Sequence, residues 1–374
     1  MAFQATKREL GELYAFFLLL GEGKVVSGTP DITGESRQPR SVALIEREEH
    51  DGTRRYYLER DEVRIQSGTL DKKGVFTPAE GGEVHFPRAD FAGAAGVLLD
   101  LLRQPGEEVE VPDALEGFLD AVRIYDLEAK TDDRTDLRLA FWSPEAPLTG
   151  FVVRCRLAPM NPLLDGGRTA NLKLEQTGVK FASPTVSKIN ALPEGPAEVA
   201  ERMRMIERLG GVLKYADVAD RVFRANLQMI DLHFPRMLAE MVRLMHLEDI
   251  TRTSELTERI CEVNPLKIKD ELIRKHGFYV YKMKQFLLAL ALGMRPAKIY
   301  NGAASAIGGM LLVNGEGRLF CYDRSDPETF ADFLYRNTRF EKGSLEKDRY
   351  GFLERENGAY YLKLNAKIGL MKRS

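Results

Sequence analysis

Helix-like and strand-like segments occupy separate blocks along this 374-residue chain, and their order restricts the fold more than any other feature. Residues 7–20 carry apolar side chains at three- and four-residue spacing, which is typical of a helix with one buried face. Residues 135–181 instead have strand character, and residues 196–275 return to mostly helical spacing. Because helices and strands do not alternate regularly, the pattern disfavours a TIM barrel or a doubly wound sheet. It predicts an α+β fold with a small mixed sheet flanked by helices.

Several local patterns predict individual elements. Residues 41–47 and 55–66 are each expected to form a strand, and residues 171–181 a third strand of the central sheet. Pro235 is expected to kink or split the longest helical run, and residues 308–323 to form a hairpin around "NGEG". Four regions follow, which could equally form one continuous globular unit: N-terminal α+β (1–125), central sheet (126–190), helical (191–300) and C-terminal α+β (301–374).

The composition predicts a cytoplasmic protein and argues against several kinds of site. Cys155, Cys261 and Cys321 are odd in number and widely spaced, which disfavours a disulfide framework and a Cys-rich zinc site. The histidines lack zinc-ligand spacing, and no P-loop or Gly-x-Ser-x-Gly motif occurs. No apolar run could span a bilayer, and the first residues lack the layout of a signal peptide. A net charge of −2 is compatible with a local basic groove.

A candidate catalytic centre lies within "TDLRLAFWSPEAPLTGFVVRCRLAP", residues 135–159. Asp136 begins one strand, and Arg154 lies on the next. Since alternate side chains of a strand share a face, Val152, Arg154 and Arg156 are expected together, with apolar neighbours packed against helices on the other face. Two guanidinium groups on one face repel unless an anion is near, and a phosphate or Asp136 would provide one.

Phosphodiester hydrolysis requires a carboxylate that holds Mg²⁺ and a positive group that stabilises developing charge. Asp136 and Arg154 could supply one of each, although arginine keeps its proton and is a poor base. The alternative is a structural ion pair that joins the two strands. The Glu128-x-Lys130 pair is a further candidate.

Five blocks resemble, in the same order, the HpaII-type family of type II restriction endonucleases. They are "KRELGELYAFFLLLGEGKV" (7–25), "NPLKIKDEL" (264–272), "YKMKQFLLALALGMRPAKIYNG" (281–302), "GGMLLVNGEGRLFCYDRSDPETFADFLYRNTRFEKGS" (308–344) and "YYLKLNAKIGL" (360–370). The resemblance implies a sequence-specific endonuclease that cuts both strands of a short palindrome in double-stranded DNA with Mg²⁺. It also implies a PD-(D/E)XK-like core, a homodimer and a cognate DNA methyltransferase as genetic partner.

The family pattern places an Asp at Asp136, which would be both catalytic and a metal ligand, and its next strand at "GFVVRC". Its lysine position holds Arg154, its small polar position holds Val152, and an expected Asn is Asp165. These departures leave several hypotheses open. Arg154 could replace the lysine in catalysis, or another residue could take that role, namely Lys130, Lys173, Glu175 or Glu12. The protein could instead be a catalytically inactive sequence-specific DNA-binding relative, or an unrelated enzyme of similar pattern.

Candidate DNA-binding residues carry side chains suited to phosphates and base edges. Arginine can bridge guanine, and asparagine can bridge adenine. The alternative for each position is ordinary surface charge. The candidates are Arg156, Lys282, Lys284, Arg336, Asn337 and Arg339.

Overall fold

The computed structural model describes residues 3–32, 38–129, 131, 133–192, 198–302 and 305–372. Within these residues the strands are β1 (Gln4–Thr6), β2 (Lys24–Ser27), β3 (Pro39–Glu49), β4 (Gly52–Leu58), β5 (Glu62–Leu70), β6 (Phe76–Pro87), β7 (Glu108–Glu110), β8 (Leu137–Phe141), β9 (Thr149–Cys155), β10 (Leu164–Asp165), β11 (Asn171–Gly178), β12 (Gly211–Val218), β13 (Ile307–Val313), β14 (Leu319–Asp323), β15 (Thr338–Phe340), β16 (Leu353–Glu356), β17 (Ala359–Asn365) and β18 (Lys367–Leu370).

The α-helices of the same residues are α1 (Lys7–Glu22), α2 (Arg88–Arg103), α3 (Asp113–Ala121), α4 (Ser183–Asn190), α5 (Glu198–Arg208), α6 (Arg221–Ile230), α7 (Phe234–Glu248), α8 (Thr253–Val263), α9 (Asp270–Arg274), α10 (Phe278–Ala291), α11 (Pro327–Asn337) and α12 (Leu345–Asp348). The expected α+β class is confirmed. In the described part of the chain, no helix is long and apolar enough to cross a membrane.

Two compact units divide the chain. Unit 1 comprises Met1–Asn161, Ala304–Phe333 and Lys372–Ser374, and unit 2 comprises Pro162–Ala303 and Leu334–Met371. The four regions expected from the sequence remain a prediction about how the chain is organised.

Unit 1 contains a nine-stranded mixed sheet. Its strand order is β2-β14-β13-β9-β8-β3-β4-β5-β6, with β9–β13 and β2–β14 parallel and the other neighbours antiparallel. The parallel β9–β13 pair joins segments far apart in the chain, since Val152 lies opposite Met310. The central strands therefore acquire neighbours that local sequence does not specify.

Helix α1 packs against one face of this sheet. A capping box at Thr6 and Glu9 starts the helix, and Gly23, in the left-handed region at φ 62°, ends it. Gly11 permits a close approach to β9, because a Cβ there would lie 2.8 Å from the Cβ of Cys155. This contact fixes the next residue, Glu12, beside the ends of the central strands.

Strand β9 has the two faces expected from its alternation. Phe151, Val153 and Cys155 belong to the hydrophobic core that α1 covers. Arg154 alternates with these residues and is half-buried. The division places an arginine near the end of the strand without disturbing the core.

Unit 2 contains two further sheets, with orders β12-β11-β17-β16 and β10-β18-β15. The expectation that residues 171–181 extend the central sheet is wrong, because β11 pairs with β12 and β17 instead. Strand β12 also interrupts the region expected to be mostly helical. Alternation along a strand shows that it has two faces, but it does not choose the neighbouring strand.

Three local expectations can be compared directly with the structure. Residues 55–66 do not form one strand, because the charged turn after β4 reverses the chain and Glu59 N donates to Glu62 O. The split at Pro235 is confirmed, since α6 ends at Ile230 and α7 begins at Phe234. The hairpin in residues 308–323 is confirmed as β13 and β14.

Candidate active site

A polar pocket of about 160 Å³ lies in unit 1, where α1 meets the ends of the central strands. Its charged lining combines carboxylates and arginines from three separate stretches of sequence. The polar and charged side chains that line it are Arg8, Glu12, Glu128, Asp136, Arg154 and Asn161. Asp136, Arg154 and Glu12, three of the residues expected to be catalytic, therefore lie around one pocket.

Asp136 is fixed between two adjacent strands. It directly precedes β8, its backbone N donates to Phe151 O at 2.8 Å, and its Oδ2 accepts the backbone N–H of Val153 at 2.6 Å. Burial raises the pKa of its carboxyl, while the Val153 N–H and the charge of Arg154 act in the opposite direction. The carboxyl thus has a defined position but an incompletely compensated charge.

Glu12 lies on the second turn of α1 and is only 11 % exposed. Its Oε1 accepts the backbone N–H of Ala129 at 2.7 Å, and Arg47 lies 3.7 Å away. Burial, followed by repulsion from Asp136, raises the pKa of Glu12 to about 8. Two carboxyl groups are therefore held close together in a setting that penalises both negative charges.

Arg154 provides the positive side of the pocket. Its Nη1 donates to Val153 O at 2.8 Å, while its buried Nε has no hydrogen-bond partner. Burial lowers the pKa of the guanidinium, although Asp136 and Glu12 oppose that effect. Among the described residues no salt bridge joins Arg154 to Asp136, although each of the two charges influences the pKa of the other.

Arg47 on β3 supports this arrangement, although sequence analysis did not identify it. It is 1 % exposed, forms an ion pair with Glu49, and donates to the carbonyl oxygens of Asp126 and Leu127. It thereby fastens the segment that carries Glu128 to the sheet. Alternation in "ALIEREE" could have placed Arg47 and Glu49 on the same side as Ile45, on the core face.

Arg8 and Glu128 form an ion pair at the pocket. Arg8 Nε lies 2.7 Å from Glu128 Oε1, and Nη2 lies 3.2 Å from Oε2. Asn161 Oδ1 accepts weakly from Nη1 at 3.5 Å. Sequence analysis considered Glu128 but missed Arg8, which the helical spacing places one turn before Glu12.

The carboxyl groups of Glu12 and Asp136 suit a cation that also binds substrate and water. Among the described residues, no group of three or more His, Cys, Asp or Glu side chains is placed to hold a metal ion. Mg²⁺, however, usually takes one or two protein carboxylates together with waters and substrate phosphates. Glu12 and Asp136, buried and mutually repulsive, fit that limited protein contribution.

Other predicted catalytic residues lie elsewhere or are not described. Lys130 lies outside the described residues. Lys173 and Glu175 lie on β11 in unit 2, where Lys173 forms an ion pair with Glu356. Arg156, which was expected to bind DNA, follows β9 and is half-buried, and its burial lowers the pKa of the guanidinium.

The other expected DNA-binding residues lie in unit 2 and differ in accessibility. Lys282 is 3.1 Å from Asp231, and Asn337 is only 2 % exposed, so neither side chain is openly presented. Lys284 lies 5.7 Å from the ring of Tyr335. Arg336 and Arg339 are exposed.

Comparison with known proteins identifies the family. A sequence-family model described as HpaII restriction endonuclease matches residues 6–370. The chain is also 27 % identical over 370 residues to the type II restriction enzyme HpaII of Haemophilus parainfluenzae, with 98 % of each chain covered. No solved structure matches. The match over nearly the whole chain shows that this protein belongs to the HpaII restriction endonuclease family.

Proposed function

We propose that this sequence-specific type II restriction endonuclease hydrolyses DNA phosphodiesters at the pocket formed by Glu12, Asp136 and Arg154, with Mg²⁺ as its cofactor. The observation that carries the proposal is that Glu12 and Asp136, two largely buried carboxyl groups, line one pocket together with Arg154. A fold stabilised by this cluster alone would pair these charges more completely. A cation and a phosphate would supply the missing compensation.

Each residue has a distinct role in this proposal. Glu12 and Asp136 would hold Mg²⁺, which when bound would polarise a phosphate oxygen and favour ionisation of the attacking water. Arg154 would stabilise the negative charge that develops on the phosphate, but its guanidinium would not accept the proton of the water. The hydrogen bond from Val153 to Asp136 holds that carboxylate in place before DNA arrives.

The proposal also includes the wider setting of a restriction enzyme. We infer a PD-(D/E)XK-like core, since Asp136 precedes one central strand and Arg154 lies near the end of the next, in the position of the expected lysine. A homodimer would match protein symmetry to a palindromic site. A cognate DNA methyltransferase and a cytoplasmic location complete the proposal, and Arg156, Lys284, Arg336 and Arg339 are retained as candidate DNA contacts.

Digestion of an unmethylated plasmid of known sequence tests the proposal. The purified protein is incubated with Mg²⁺ or with EDTA, and Asp136→Asn is treated in parallel. We expect discrete fragments only for the wild-type protein with Mg²⁺, and mapping their ends gives the cleavage site. An uncut plasmid whose gel mobility is nevertheless shifted would indicate a DNA-binding protein without catalysis, and cleavage by Asp136→Asn would refute the placement of the site.

A further inference from the structure

Arg8 is the more exposed of the two arginines among the described lining of the pocket. Its side chain is 48 % exposed, and that of its partner Glu128 is 30 % exposed. Arg154, by contrast, is half-buried, with a buried Nε. An arginine at the opening of a pocket that also holds Glu12 and Asp136 is the one that an incoming substrate meets first.

The geometry of the Arg8–Glu128 pair resembles that of an arginine bound to phosphate. Two guanidinium nitrogens face two carboxylate oxygens, at 2.7 and 3.2 Å. Arginine binds carboxylates and phosphates through the same planar fork of parallel hydrogen bonds. Glu128 therefore occupies the positions on Arg8 that two phosphate oxygens would take.

Exchange of Glu128 for phosphate has a small energetic cost. Solvent-exposed ion pairs contribute little to stability, because water screens them and both side chains lose freedom. Arg8 also lies in the first turn of α1, where a helix disfavours a positive charge and favours a nearby anion. The site thus retains its preference for an anion when Glu128 moves away.

The position of Arg8 relates this anion site to the catalytic carboxylates. Arg8 and Glu12 are four residues apart on α1, so their side chains lie on the same face one helical turn apart. A phosphate held by Arg8 would lie close to the pocket that contains Glu12. DNA is a chain of regularly spaced phosphates, so a backbone phosphate is the ligand that fits this position.

We propose that Arg8 binds a backbone phosphate of DNA and that Glu128 occupies its guanidinium group in the free protein. This inference rests on the proposed function, since DNA is the ligand of both. It assigns Arg8 a direct contact with substrate and gives Glu128 a role in competition with DNA rather than in catalysis.

Arg8→Ala and Arg8→Lys test the phosphate contact. The probe is a short unmethylated duplex from the plasmid fragment that the wild-type protein shifts most strongly in a gel, and its Kd is measured in EDTA over a series of salt concentrations. We expect Arg8→Ala to weaken binding by about tenfold and to reduce the slope of log Kobs against log salt by about one unit. Arg8→Lys keeps the positive charge but loses the pair of parallel hydrogen bonds of the guanidinium. Its salt slope should therefore be close to that of the wild type, and its affinity should lie between those of the wild type and Arg8→Ala.

Arg274→Ala is the matched control. Arg274 is an exposed arginine paired with Asp270 at 3.0 Å on α9, outside the pocket. Its replacement should leave both Kd and salt slope at the wild-type values. A wild-type Kd and slope for Arg8→Ala would overturn the proposal.

Glu128→Gln tests the competition. Removing the carboxylate charge should lower Kd by several-fold while the salt slope remains that of the wild type. Weaker binding by Glu128→Gln would overturn the role given to Glu128. These binding measurements require no cleavage, whereas failure of the proposed catalytic function would appear as an uncut plasmid or as cleavage by Asp136→Asn.

Discussion

Two clusters of carboxylates and arginines on the nine-stranded sheet have opposite electrostatic character. In the Arg138 cluster, Arg138 on β8 lies 3.0 Å from Glu46, 2.6 Å from Glu48 and 2.9 Å from Asp133. Burial acts to lower the pKa of Arg138, but hydrogen bonds and the charges of Asp133 and the other carboxylates raise it overall. For Asp133, burial acts to raise the pKa, but hydrogen bonds from Thr135 and Arg138 outweigh burial and lower the pKa overall.

The pocket cluster begins at Asp136, two residues before Arg138, and its shifts have the reverse sign. Burial raises the pKa of Glu12 and of Asp136 and lowers that of Arg154. The charged form of each of these three groups is therefore less favourable than it is in water, whereas the charged forms of Arg138 and Asp133 are favoured. The difference agrees with the proposal that the pocket cluster binds a charged ligand, and it leads us to expect that the Arg138 cluster stabilises the fold.

The largest expected contrast is in catalysis. Asp136→Asn should reduce DNA cleavage in Mg²⁺ by roughly 10³-fold or more, since it removes a proposed ligand of the cation that would stabilise the transition state. Glu48→Gln, in the Arg138 cluster, is the matched control and should cleave within a few-fold of wild type. The rates are measured on plasmid DNA, and Kd for Asp136→Asn should remain close to the wild-type value. Equal losses in the two variants would remove the distinction between the clusters.

The second contrast is in stability. Arg138→Met should lower the free energy of unfolding by about 2 kcal/mol, because Glu46 is buried and Asp133 and Glu48 lose their shared cation. The loss is less than for a fully buried pair, since Glu46 keeps Arg55 at 2.8 Å. Urea denaturation of the metal-free protein measures the change. An unchanged midpoint would show that the Arg138 cluster does not stabilise the fold.

The third contrast is a gain in stability from a substitution in the pocket cluster. Glu12→Gln should raise the free energy of unfolding of the metal-free protein at neutral pH by about 1–2 kcal/mol, because it removes a carboxyl whose ionised form is disfavoured. The same variant should lose cleavage and should lose any increase in melting temperature that Mg²⁺ gives the wild type. Destabilisation by Glu12→Gln in EDTA would contradict the electrostatic strain assigned to the pocket.

The pH dependence follows from the same shifts. The pKa of Glu12 rises from 4.5 to about 8 on folding, so the folded state binds a proton that the unfolded state has released. The Glu12 contribution to stability therefore falls as pH rises from about 4.5 to about 8. The pKa of Asp133 is lowered, so its contribution is present above 3.8 and is lost as pH falls below that value. Differences between wild type and Glu12→Gln or Asp133→Asn, measured across pH, isolate the two effects.

The smallest expected effect concerns the side chain in the lysine position. Arg154→Lys should keep cleavage within about tenfold of wild type, or raise it, if only a positive charge is required. A much larger loss would show that the planar guanidinium makes a specific contact with the phosphate. Single-turnover cleavage with Mg²⁺ measures the effect.

Local sequence predicted the elements whose formation depends on nearby residues. Helix α1 extends the predicted helix, residues 7–20, by only two residues, because apolar spacing and capping are local properties. The two faces of β9 were also predictable, since alternation alone determines which side chains share a face. Asp136, Arg154 and Glu12 were named from residue type and family resemblance, and their catalytic roles remain a prediction.

Tertiary structure decided which of these elements meet. The pairing of β9 with β13 and of β11 with β17 joins distant segments, and the alternation of a strand is compatible with many partners. The pocket depends on the same long-range contacts, because Glu12 reaches Asp136 only where Gly11 lets α1 approach β9. Arg8 and Arg47 were not identified from the sequence, because their contacts are with residues more than seventy positions away, Glu128 and Asp126.

The sequence by itself determined the α+β class, the family and the residue types available for catalysis, because these depend on local periodicity and on the order of motifs. Only the tertiary structure determined that Glu12 and Asp136 share a pocket while Asp133 pairs with Arg138. The physical reason is that burial and the distances between charges set the pKa of each carboxyl group, and both depend on the complete fold.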